Sequence, residues 1–169
     1  MNQYRILVVD DEKMMRSLIQ RSLSDAGCKV LTAGSAEEGM ALMEVNNIDL
    51  VISDQKMPGG MTGIDFLQYI RTAYPEVLTI LLTGYPNLET AMDAINSAGV
   101  LKYLTKPFEI RELTRAVKHC FEVKDLVTER NLMMNKIKSY ESRLEELEKE
   151  HPGITHVVRD KNGHIITDI

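Results

Sequence analysis

Five short apolar runs punctuate the first 108 residues, at 5–9, 29–33, 49–53, 77–82 and 102–104. Between them lie longer stretches, 12–26, 36–46, 64–74 and 88–98, in which apolar residues recur three and four positions apart. In the first stretch these are Met14, Met15, Leu18, Ile19 and Leu23; in the fourth they are Ala91, Ala94, Ile95 and Ala98. That spacing places them on one face of a helix, whereas near-continuous runs such as Ile6-Leu7-Val8-Val9 suit strands buried on both faces. Gly27 and Gly99 follow two of the helical stretches, where a left-handed residue ends a helix. Strands alternating with helices predict βαβ units, hence an α/β fold: a (βα)5 doubly wound parallel sheet.

The pattern changes after residue 108. Residues 122–150 contain no Gly or Pro, and about half are charged. Val123, Leu126, Arg130, Met133, Ile137, Tyr140, Leu144 and Leu147 alternate spacings of three and four, and only Arg130 is not apolar. This is a coiled-coil seam. Lys136 and Arg143 fall at g positions, Glu141 and Glu148 at e positions, so a parallel dimer pairs Lys136 with Glu141 and Arg143 with Glu148 of the other helix. The alternative is a long helix folded back on its own domain. An unbroken helix over 109–149 would be about 60 Å long.

His151-Pro152-Gly153 ends that helix. Residues 154–167 then read as two short strands around Asn162-Gly163, a type I′ hairpin pair. An isolated hairpin is marginal in water, so it needs a docking surface. The expected organisation is a domain over 1–122, a coiled-coil helix over 123–150 and a hairpin tail over 151–169.

Composition narrows the function. Hydrophobic residues are 44% and charged residues 27% of 169, which is ordinary globular usage. No apolar run approaches the roughly 18 residues of a membrane span, and no secretory leader is visible. Two cysteines, Cys28 and Cys120, make no disulfide framework, so a cytoplasmic location is expected. The net charge of −5, the lack of a dense Lys/Arg stretch and the absence of Trp argue against direct nucleic-acid binding.

Four of the five apolar runs end in polar residues suited to phosphate or metal chemistry: Asp10-Asp11, Asp54, Thr83-Gly84 and Lys106-Pro107. In a parallel doubly wound sheet those ends share one edge, where ligands bind. Converging carboxylates repel unless a cation sits among them, and hard oxygen ligands suit Mg²⁺. A hydroxyl and an ammonium beside them meet the oxygens of a transferring phosphoryl group. Taken singly, each has a plainer role: Asp10 or Asp11 as a helix cap, Asp54 closing a turn, Thr83 capping a helix near Pro86, Lys106 a solvated charge.

The segments RILVVDDE, VISDQKMPG, ILLTGY and KYLTKPF resemble, as a set, the receiver domains of two-component response regulators over roughly residues 3–122. The resemblance implies a flavodoxin-like sheet with strand order 2-1-3-4-5. It makes Asp54 the phosphoacceptor for a sensor histidine kinase, and makes Asp10, Asp11, Asp54 and the backbone carbonyl of Lys56 the Mg²⁺ ligands. It also makes Thr83 and Tyr103 the switch pair, Lys106 the cation paired with Asp54, and Lys106–Pro107 a cis peptide. The face formed by residues 88–98, the last strand and the following helix would then signal, through the coil, to a protein partner or an output domain outside the chain.

The loop after Asp54, residues 57–63, is one residue longer than the family pattern and carries Thr62 where that pattern has Asp. The pattern Asp160, Gly163, Ile165 loosely resembles the opening of a PAS-type sensory domain. Two rival functions remain. A haloacid-dehalogenase-type phosphatase needs a second Asp two residues after the nucleophile, where this chain has Lys56. A dimeric scaffold indifferent to phosphorylation would leave the five polar strand-end residues without purpose.

Overall fold

The computed structural model describes residues 4–57, 60–84 and 99–153. The chain divides into two compact units, Met1–Lys124 and Asp125–Ile169. In the first, the order is β1 (Arg5–Val9), α1 (Lys13–Asp25), β2 (Lys29–Ala33), α2 (Ala36–Val45), β3 (Leu50–Asp54), α3 (Gly63–Ala73), β4 (Leu78–Thr83) and β5 (Lys102–Thr105). The long helix α4 (Ile110–Glu150) follows. The strands are all parallel, in the order β2-β1-β3-β4-β5. The stretch 88–98, the hairpin and its PAS-like pattern lie outside the described residues.

Alternation along each strand divides the core. Ile6, Val8, Ile52, Ile80 and Leu82 face Ile19 and Leu23 of α1 and Leu113, Val117 and Cys120 of α4. Leu7, Val9, Val51 and Leu81 face Met43 of α2 and Phe66, Leu67 and Ile70 of α3. Each fully buried Leu, Ile or Phe contributes about 1.5–3 kcal/mol relative to exposure. Both cysteines are free thiols, Cys28 half-buried and Cys120 buried.

Three helix starts differ in chemistry. Ser35 caps α2 by accepting the Glu38 N–H, and Thr62 forms a capping box with Asp65 at α3. Helix α1 has Glu12 at its N-cap, whose side chain makes no capping hydrogen bond; instead Asp10 Oδ1 accepts the Glu12 N–H at 2.8 Å. At the opposite edge of the sheet, Lys124 Nζ donates to Asp49 Oδ1 at 2.8 Å, and Tyr4 stacks on Phe121 with ring centroids 3.9 Å apart.

In the second unit α4 runs to Glu150, and the His151 N–H donates to Leu147 O at 2.8 Å. Gly153 follows in the left-handed region, with φ at 92°. Leu126, Met133, Ile137, Tyr140 and Leu144 of the heptad seam are exposed.

Candidate functional site

Parallel pairing brings the ends of β1, β3, β4 and β5 to one edge of the sheet. Val9 lies beside Ser53, Asp54 beside Leu82, and Thr83 beside Thr105. Asp54 and Thr83 are therefore the last residues of their strands, one residue further into the sheet than the apolar runs indicate. Asp10 and Lys106 are the residues just after β1 and β5.

These ends converge on one ion-paired group. Lys106 Nζ lies 2.8 Å from Asp10 Oδ2 and 2.9 Å from Asp54 Oδ1. Asp10 is 0% exposed, Asp54 7% and Thr83 4%. The Lys106 N–H donates to Thr83 O at 2.6 Å, and the Lys106–Pro107 peptide is cis. The plainer roles thus hold only in part. Asp10 serves the start of α1 and also pairs with Lys106, Asp54 ends a strand rather than closing a turn, and Lys106 is largely covered.

Burial holds the Asp54 carboxyl above its ordinary range, with Asp10 adding to the shift, although the Lys106 hydrogen bond and charge pull the other way. For Lys106, burial works to lower the pKa. Hydrogen bonds from its ammonium to Asp10 and Asp54, with their charges, outweigh that and hold it above its ordinary value. Two carboxylates against one ammonium leave a net negative charge, and Asp11 adds an exposed carboxylate next to Asp10. Hard oxygen donors with unbalanced negative charge fit a divalent cation such as Mg²⁺ in kind. Among the described residues no three acidic, His or Cys side chains are grouped as a finished ion cage. Lys56 is exposed in the loop after β3, and Tyr103 on β5 is 42% exposed.

Three residues join the site that the sequence did not single out for it. Thr83 Oγ1 donates to Gln55 Oε1, so the hydroxyl is engaged beside Asp54. The Arg16 guanidinium donates to the Asp10 carbonyl. Gly63 lets α3 begin against the Asp54 backbone: a Cβ there would sit 1.9 Å from Asp54 O. The Gly63 N–H donates to Gln55 O at 2.9 Å across the same contact.

The family model for the response regulator receiver domain matches residues 6–118. The hydrogenase transcriptional regulatory protein HoxA of Cupriavidus necator is 36% identical over 124 residues, 73% of this chain and 25% of HoxA. The DNA-binding transcriptional regulator NtrC of Salmonella typhimurium is 33% identical over 118 residues, 68% of this chain and 25% of NtrC. The chain thus spans about a quarter of the length of these curated relatives. A solved response regulator receiver domain from Clostridium thermocellum is 37% identical with a TM-score of 0.67, covering 73% of this chain and 98% of that one. The signal receiver domain of an HD domain-containing protein from Pseudomonas fluorescens is 32% identical with a TM-score of 0.70, over the same shares.

Proposed function

The chain belongs to the response regulator receiver family, which signals by taking a phosphoryl group onto an aspartate, and from that premise we propose that Asp54 is the aspartate concerned. The observation that carries this is the buried Asp54 carboxylate at the end of β3, held 2.9 Å from the Lys106 ammonium. A carboxylate that burial makes more basic is a better nucleophile. Its oxygen attacks the phosphorus of a phosphohistidine on a sensor histidine kinase; the N–P bond breaks as the O–P bond forms, and the imidazole leaves.

Receiver domains are typically Mg²⁺-dependent and generally phosphoacceptors rather than enzymes. Here Asp10, Asp11, Asp54 and the Lys56 carbonyl would hold the ion, which when bound supplies neutralising charge for phosphoryl oxygens. Lys106 adds a fixed positive charge to the same oxygens, and Thr83 donates its hydroxyl to one of them. The half-exposed Tyr103 then follows Thr83 inward, a population shift that changes the surface around β5 and the start of α4.

The seam over Val123, Leu126, Met133, Ile137, Tyr140, Leu144 and Leu147, exposed at all of these but Val123 and Leu147, pairs two copies as a parallel coiled coil. The change passes along it to an output domain or a separate protein partner. No helix among the described residues is long and apolar enough to cross a membrane; membership of the receiver family supports a cytoplasmic signalling role.

Incubation with acetyl phosphate and Mg²⁺, followed by borohydride reduction and peptide mapping, tests the acceptor. The reading expects the modified residue to be Asp54. Modification at Asp10 or Asp11 instead would overturn it.

A further inference from the structure

The Thr83 hydroxyl is already committed. It donates to Gln55 Oε1, on the residue that follows Asp54. Neither backbone leaves the pair much freedom to separate. The Gln55 N–H donates to Leu82 O at 2.8 Å and its carbonyl accepts the Gly63 N–H at 2.9 Å, so Gln55 is fixed between β4 and the start of α3. Thr83 is the last residue of β4, and its carbonyl accepts the Lys106 N–H.

A hydroxyl has one proton to donate. It goes either to the Gln55 amide oxygen or to a phosphoryl oxygen on Asp54. We propose that Gln55 is a positioning residue that holds Thr83 in the unphosphorylated arrangement, so that the Thr83–Gln55 hydrogen bond sets the threshold for switching. This deepens the reading of Asp54 as phosphoacceptor and rests on it. A neutral amide oxygen is a weaker acceptor than a charged phosphoryl oxygen, so the exchange runs toward the phosphorylated state once the group arrives. The unphosphorylated protein nevertheless gives up one neutral hydrogen bond to make it.

Two variants that lack the amide oxygen test this, one with only a weak thioether acceptor and one with none. Gln55→Met keeps the length of the side chain, and Gln55→Leu supplies an independent case. The affinity of the full chain for beryllofluoride in Mg²⁺, a mimic of the phosphoryl group, is expected to rise about two- to tenfold in either, the worth of one neutral hydrogen bond. In a Thr83→Ala background the same substitutions are expected to change affinity by less than twofold, because the residue through which Gln55 acts is gone. Unchanged affinity in both single variants overturns the proposal, and so does a gain that persists without Thr83, which would place the effect of Gln55 elsewhere. Wild-type protein that binds no beryllofluoride overturns the phosphoacceptor reading, and the Gln55 proposal with it.

Discussion

Nζ of Lys106 lies 2.9 Å from Oδ1 of Asp54, tying the residue after β5 to the last residue of β3. The same ammonium also serves the fully buried Asp10. Lys106→Met keeps the bulk of the side chain but leaves two carboxylates without their counter-charge. Breaking such a pair from one side costs roughly 3 kcal/mol, measurable as a lower urea midpoint at pH 7. The pH dependence follows from the raised Lys106 pKa. The folded state binds that proton more tightly than the unfolded chain. The contribution is therefore complete below the ordinary value of 10.5 and is lost as pH rises through the folded-state value. Wild type and variant are expected to converge in stability at strongly alkaline pH. Equal midpoints at pH 7 would show that the ammonium does not stabilise the pair.

Gly63 controls the position of Asp54 through space rather than charge. A methyl group there meets the Asp54 carbonyl, a backbone atom that cannot turn aside. Gly63→Ala is expected to destabilise the domain by about 1–3 kcal/mol, as overpacking does, and to weaken beryllofluoride binding because β3 must shift. A variant with wild-type stability and binding would mean that the start of α3 yields at no cost to the site.

The apolar seam of α4 carries a prediction about assembly. Ile137→Asp or Leu144→Asp places a charge at an a position of the seam. Light scattering is expected to report a dimer for wild type and a monomer for either variant, with phosphorylation retained. A variant that stays dimeric would put the interface outside the coil.

The strand ends at the site were legible because a polar residue follows four of the five apolar runs close to where the sheet stops. Asp10, Asp54, Thr83 and Lys106 could be named from that interruption, and strand order 2-1-3-4-5 followed from the family resemblance. The one-residue extension of β3 and β4 was not legible, because Asp54 and Thr83 read as the start of a loop until cross-strand pairing takes them into the sheet. Gln55 and Gly63 left no local signal. One matters through a bond to a residue on the neighbouring strand, the other through the absence of a Cβ at a close approach between backbones. Thr62, a departure from the family pattern, is explained by its capping box with Asp65.

The measurement closest to the central claim is the intact mass of the protein after incubation with acetyl phosphate and Mg²⁺, beside Asp54→Asn treated identically. One added phosphoryl group on the wild type and none on the variant is the expected result. An addition of equal extent on Asp54→Asn would contradict it, since the acceptor would then lie elsewhere in the chain.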